Sequence, residues 1–316
     1  MKRLLMSVLA SLLVFTAVPH AAKAAYPERP VTVIVGFAAG GATDIMGRAF
    51  ADLMSKELGG TFVVKNVTGA GGTIAAAELS KASPDGYTLG YMPVGAMTIQ
   101  PNLRKLPYKW DAFTPLNMVS LNPVVLVSPK SAPWKNFEEA IAEVKKNPGK
   151  YVFTSSAPGS SPHFCQAALF EALGLDVVHM PANGSAGAIQ ALQTGTAHFY
   201  ADPPVIIRQF DLIGLGCFGD ERLPAYPDMA TFREQGLNIP VFSGWHAFWG
   251  PKDMPADIVA KLEAAAEKVI NSEAFKKICT RTDMNNTFMN SAEMTKFFEA
   301  EHANYEKLAV MLGLKK

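Results

Sequence analysis

The sequence predicts an α/β protein of two lobes, each a doubly wound sheet flanked by helices, and three observations carry that prediction. Short β-branched apolar runs alternate with helical patterns, a spacing that suits parallel strands joined by crossover helices. A unit of strand, glycine-rich turn and helix occurs twice in residues 31–82 and twice again in residues 151–195. A strand-like run at 242–250, holding Trp245 and Trp249, then returns the chain to the first unit.

The first unit opens on the apolar run 31–35, Val-Thr-Val-Ile-Val, which reads as a buried strand. Gly36 and the pair Gly40-Gly41 break the run, and Asp44 opens a helix with Ile45, Met46, Ala49, Phe50, Leu53 and Met54 at its apolar positions. Strand, glycine turn and helix start together aim free backbone N–H groups into one concave spot. Orphan amides and the helix dipole make such a spot favourable to anions. Asp44 reads most simply as a helix-start residue, with Arg48 either its partner or a surface charge. A strand at 61–65, a glycine turn at 66–73 and a helix at 74–81 repeat the device. Ser83-Pro-Asp-Gly86 is a tight bend, and residues 87–92 form a third strand. Residues 93–122, with Pro101, Pro107 and Pro115, read as a long irregular stretch.

A new strand is predicted at 124–127, and a helix at 136–146 is stopped by Asn147-Pro-Gly149. A strand at 151–155 runs into the third turn, residues 157–163, with Ser161 as N-cap and Pro162 at the first helical position. A strand at 176–179 precedes the fourth turn, 181–187, where Ser185 is a candidate cap for a helix ending at Gly195. The strand at 197–200 ends at Asp202-Pro-Pro204. A carboxylate there either closes the strand or lines a cleft. Helices at 255–271, 272–280 and 291–312 complete the chain.

Composition narrows the function. Lys2 and Arg3 followed by an apolar stretch to Val18, then Ala22-Lys23-Ala24, form an export signal with cleavage expected after Ala24. No later apolar run approaches the roughly 20 residues of a membrane span, and the earliest cysteine is Cys165, so no lipid-bearing cysteine stands near the cleavage site. Loss of Lys2, Arg3 and Lys23 takes the formal charge from +1 to −2, which gives no electrostatic case for nucleic acid. Cys165, Cys217 and Cys279 allow at most one disulfide, and buried free thiols are the preferred reading.

Catalytic sets are sparse. Ser160, Ser161 and His163 lie together, yet no GxSxG elbow exists and no acid is near in sequence to orient the histidine. The histidines show no HxxxH or HExxH spacing, and GxGxxG and Walker loops are absent, so no metal or cofactor is expected. What remains is an exported binder of a small anionic solute, with a secreted serine hydrolase using Ser160 or Ser161 and His163 as its rival.

Tyr26-Pro-Glu-Arg-Pro30, Phe37-Ala-Ala-Gly-Gly41 with Asp44, Gly69-Ala-Gly-Gly72, Pro84-Asp-Gly-Tyr-Thr-Leu89, Gly159-Ser-Ser-Pro-His163 and the Gly184 turn occur in the order of one family. Over essentially the whole mature chain the sequence resembles the substrate-binding proteins of tripartite tricarboxylate transporters, the Bug or TctC-like family. The resemblance implies a periplasmic Venus-flytrap fold of type II, with residues 25–122 and 244–316 in one lobe and 123–243 in the other. It implies that Phe37, Ala38, Ala39, Gly40, Gly41, Thr43 and Asp44, bordered by Gly69 and Ala70, meet one ligand carboxylate. Ser155, Ser156, Gly159, Ser160, Ser161, His163, Asn183, Gly184, Ser185 and Asp202 would face it from the second lobe. The implied partners are a large and a small membrane subunit, and a monomer is expected. The chain departs from the family's pattern at Gly36, Ala182 and Ala191, where proline, tyrosine and aspartate are usual. The smaller Ala182 leans the expected ligand toward a bulkier di- or aromatic carboxylate, while Asp202 equally suits an amino group or a hydroxyl. A sensory receptor on the same fold is the other alternative.

Overall fold

The computed structural model describes residues 26–37, 39–40, 42–182, 184–282 and 284–315; the export signal expected at 1–24 lies outside them. The first unit comprises β1 (Val31–Val35), α1 (Ala42–Leu58), β2 (Phe62–Asn66), α2 (Thr73–Leu79) and β3 (Thr88–Pro93). A π-helical turn at Gly95–Ile99 then leads through α3 (Gln100–Leu103) to β4 (Phe113–Pro123). The second unit holds β5 (Val125–Pro129), α4 (Phe137–Lys146), β6 (Val152–Ser155), α5 (Ser161–Ala172), β7 (Val178–Pro181), α6 (Gly184–Gln193), β8 (Tyr200–Asp202), α7 (Val205–Gln209) and β9 (Leu212–Cys217). The chain returns through β10 (Ser243–Pro251) to α8 (Ala256–Asn271), α9 (Glu273–Thr282), β11 (Asn286–Met289) and α10 (Ser291–Met311).

The first sheet has the order β11-β4-β10-β3-β1-β2, with β1, β2 and β3 parallel. In the second unit β6 and β7 are parallel, and β8, β5 and β9 form an adjoining ladder. A bridge between Phe153 and Phe199 joins the two, where the Thr154 amide donates to the Phe199 carbonyl at 2.9 Å. The resulting order is β7-β6-β8-β5-β9. Both sheets therefore place a first strand between a second and a third, followed by a strand contributed by the crossing chain. That crossing strand, β10 in one sheet and β5 in the other, is antiparallel to its neighbours. The parallel strands expected from the sequence are present, and each sheet adds antiparallel ones. A chain arriving from the other unit enters at the carboxyl ends of the strands and has to run back against them.

The largest difference from expectation lies in residues 93–122, which hold a helical segment and the eleven-residue β4. The middle of β4 is buried on both faces, so it shows no period-two alternation to betray it. Strand β9, helix α7 and the short β11 were likewise unforeseen. Helices α1, α8 and α9 cover one face of the first sheet through Met46, Phe50, Leu262 and Phe275. Helix α10 covers the other, starting at a capping box between Asn290 and Glu293. Its Phe298 packs edge-on against Trp249 at 4.7 Å, and its Tyr305 against Phe164 of α5 at 5.5 Å, so α10 touches both units. Cys165, Cys217 and Cys279 are free and buried. No helix among the described residues is long and apolar enough to cross a membrane.

Candidate ligand-binding site

In doubly wound sheets, ligands sit outside the carboxyl ends of the strands, where successive connections leave toward opposite faces. The strand orders put those points between β1 and β3 in one sheet and between β6 and β8 in the other. The first carries the Gly36 to Asp44 turn. The second carries the third turn and Asp202. Ala38, Gly41 and Asn183 lie outside the described residues.

Asp44 shapes the first turn from inside it. The helix starts at Ala42, two residues earlier than expected, and the buried Asp44 carboxylate reaches back to accept the Gly40 amide at 2.9 Å. It also accepts from Asn66 Nδ2 at 2.7 Å and Arg48 Nε at 3.0 Å. Burial pushes this carboxyl upward, but the bonds from Arg48, Asn66 and Gly40 outweigh it and hold it below the usual carboxylate range. Asn66 further donates to the Phe37 carbonyl at 2.9 Å, tying the turn to the end of β2. The Thr43 hydroxyl meets His246 Nε2 at 3.0 Å, and His246 Nδ1 lies 3.2 Å from Ser120 Oγ. Burial holds the His246 pKa down to about 4, so a neutral ring backs the turn.

The second glycine turn packs directly against the first. A Cβ on Gly36 would meet Gly72 Cα at 3.2 Å, and one on Gly72 would meet Ala96 Cβ at 3.3 Å and Phe37 Cε2 at 3.4 Å. Side chains at either position would push the turns apart, and Gly72 also has φ +89°. Arg104 secures the turn by donating to the Ala70 carbonyl at 3.1 Å.

In the second unit the residues of the third and fourth turns meet as the sequence suggested, with different roles for the caps. Ser160, not Ser161, is the N-cap position of α5, and its hydroxyl donates to the Ala157 carbonyl at 2.7 Å instead of to a helix amide. Ser161 Oγ is buried without a hydrogen bond within ordinary range. Ser155 donates to the Ala157 carbonyl at 3.0 Å, so His179 Nε2, 2.8 Å away, carries the proton between them. His163 stacks on His179 at 3.9 Å and accepts the Gly159 amide on Nδ1 at 3.0 Å. Burial, with His179 beside it, holds the His163 pKa down to about 4. The fourth turn is bound to the third by the amides of Ala182 and Gly184, which donate to the carbonyls of Ser155 and Ser156 at 2.8 Å each. Ser185 falls inside α6 and is no cap; its hydroxyl lies 3.0 Å from Tyr200 OH, which donates to Asp202 Oδ2 at 2.7 Å. Burial pushes the Asp202 pKa up to about 6, against the opposing bonds from Tyr200 and Ser185.

The two units touch where Gly159 faces α3, with Gln100 Nε2 donating to the Gly159 carbonyl at 3.3 Å. Asn66, Gln100, Leu103, His179, Tyr200 and His246 are the residues the sequence reading missed. The position of Asn66 at a strand end was a usable signal, whereas the others acquire roles only through tertiary neighbours.

A cavity of about 990 Å³ lies elsewhere, on the flank of the chain crossing, lined by Leu121, Pro123, Phe242, Phe297 and Glu301 among others and by none of the four turns. Trp245 Nε1 donates to Glu301 Oε2 at 3.3 Å, and burial pushes that carboxyl up to about 7. The folded chain therefore keeps a proton that the unfolded chain has lost, and stability falls as pH rises from about 4.5 to 7. Glu301→Gln is expected to raise the melting temperature at pH 8 and leave it unchanged at pH 4, measured by calorimetry at both values.

The hydrolase constellation does not assemble in this geometry. The Ser160 hydroxyl bonds a carbonyl, and the His163 nitrogen that would face an orienting acid accepts a backbone amide instead. Two sheets of matching order, each carrying glycine-rich turns at its strand ends, define a two-lobed solute-binding receptor. The profile described as tripartite tricarboxylate transporter family receptor matches residues 46–314. A Cupriavidus necator protein, described as a UPF0065 protein in the gbd 5′ region, is 33% identical over 313 residues, covering 95% of this chain and 93% of its own. Among solved structures, the periplasmic binding protein BugD aligns with a TM-score of 0.79 at 30% identity, over 92% of this chain and 100% of BugD. An R. palustris protein with adipate aligns at 0.82 and 26%, over 91% and 98%. The chain belongs to the tripartite tricarboxylate transporter family receptors.

Proposed function

We propose that this chain is exported, closes on a small organic carboxylate and presents it to the large and small membrane subunits of a tripartite tricarboxylate-type transporter. The observation that carries this reading is the first turn, where the buried Asp44, itself paired with Arg48, fixes a glycine-rich loop at the β1/β3 strand ends. Neutral amides and hydroxyls hold an anion without the cost of desolvating a fixed counter-charge. The adipate-bound relative supports the ligand class. Residues 25–122 with 244–316 form the first lobe in this proposal and residues 123–243 the second. The ligand lies among Phe37, Gly40 and Thr43 on one side and Ser156, Gly159 and Asp202 on the other. The chain binds without turnover and acts as a monomer.

Ligand shifts such a receptor toward the closed form by its greater affinity for that form. In a thermal-shift screen of mono-, di- and tricarboxylates, a ligand at 100 times its dissociation constant is expected to stabilise the fold by ~2.7 kcal/mol, a shift of several degrees. Stabilisation by sugars or metals, with none from any carboxylate, would contradict the proposal.

A further inference from the structure

Asp202 stands apart from the other polar groups at the two strand-end sites. Asp44 is matched by Arg48 at 2.9 Å and buried, and His163, His179 and His246 are shifted by burial toward their neutral forms. Asp202 ends β8 beside the third turn, is only partly buried, and has no cation within ion-pair distance among the described residues. The titratable groups facing it are Tyr200 on its own strand and Cys165 on α5, both kept protonated by burial. A carboxylate has about four acceptor positions, and Tyr200 with Ser185 fills at most two of them. The rest of its capacity is open to a donor.

We propose that Asp202 sets ligand specificity by accepting a hydrogen bond from an amino or hydroxyl group of a carboxylate whose acid end lies on the first-lobe amides. This inference rests on the carboxylate-receptor reading and narrows its ligand class to amino and hydroxy acids. A ligand that brings a second carboxylate to Asp202 has to share one proton with it, because two like charges at hydrogen-bond distance cannot both stay ionised. Affinity for such a ligand falls by about tenfold per pH unit once that shared proton is no longer held by the free partners. With the Asp202 carboxyl near 6, that fall begins close to neutrality. Amino and hydroxy acids carry their own donor and escape it.

The test is calorimetric titration of the mature chain with matched acids of four to six carbons, each ending in an amino group, a hydroxyl or a second carboxylate. At pH 8 the best amino or hydroxy acid is expected to bind at least tenfold tighter than the dicarboxylate of equal length. The Asp202→Asn variant, which supplies a neutral amide, is expected to bring the two within threefold and to flatten the pH dependence of dicarboxylate binding. Tyr200→Phe keeps the carboxylate but removes its donor, and is expected to move the pH at which dicarboxylate binding fades upward. Equal binding of all three classes at pH 8, unaltered by Asp202→Asn, would overturn this inference and leave the receptor reading intact. Failure of every acid to bind would overturn both.

Discussion

Gly159→Val is expected to weaken carboxylate binding roughly fivefold while leaving the ligand-free protein folded. Gly159 has φ +70°, and a Cβ there would collide with Leu103 Cδ1 of α3 and come within 3.4 Å of Gln100 Nε2. The positive φ costs a non-glycine residue about 1–2 kcal/mol in every state of the protein. The collision is different, because it exists only while the two units are together. The atom struck is the mobile end of the Leu103 side chain, which can turn partly aside, so the overpacking falls at the low end of its usual range, about 1 kcal/mol, on the closed form that binds ligand. Calorimetry of the variant against a bound carboxylate, with a melting curve of each protein alone, separates the two costs. An unchanged dissociation constant would mean that closure does not bring Gly159 against α3.

Asp44→Ala is expected to cost about 2–4 kcal/mol of folding stability at pH 7, since unpaired buried donors cost about 1–3 kcal/mol each. The variant leaves the Gly40 amide and Asn66 Nδ2 without their acceptor, and loses the pair with the half-exposed Arg48. The sign of the pH dependence follows from the depressed native carboxyl. Its contribution is complete above the unfolded value of 3.8 and is lost as pH falls through the lower native value. Urea titrations at pH 7 and pH 3 are therefore expected to show a gap between wild type and variant that narrows in acid. Binding should weaken as well, because the turn no longer holds its amides in place. A gap under 0.5 kcal/mol, or one that widens in acid, would remove Asp44 from its role as the frame of the turn.

Much of this was legible in the residues, for identifiable physical reasons. The run at 31–35 and the glycine turns announce themselves because a buried strand needs continuous apolar residues and a close-packed turn needs glycine. Their repetition placed two units before any contact was known. Local chemistry was enough to nominate Gly40, Thr43, Ser155 and Asp202 as candidates at the strand ends where the fold places them. Tertiary partners were not. Asp44 looked like a helix opener with Arg48 for company, and only the fold reveals that Asn66 and the Gly40 amide complete its shell. Ser161 and Ser185 had the right identity for caps, yet α5 and α6 start at Ser161 and Gly184, leaving Ser161 the first residue of its helix and Ser185 the second of its own. Strand β4 was invisible because burial on both faces erases alternation, and its prolines argued for a loop. The flank cavity and its Glu301 draw on segments far apart in the chain and left no local trace.

The measurement that bears most directly on the central claim is a glycine-selective ¹⁵N amide spectrum of the mature chain, recorded as a carboxylate is titrated in. If the acid end sits on the first-lobe turn and the second lobe closes over it, the amides of Gly40, Gly72, Gly159 and Gly184 should shift together with one dissociation constant. Shifts confined to Gly219, which lines the flank cavity, would place the ligand there and contradict the account.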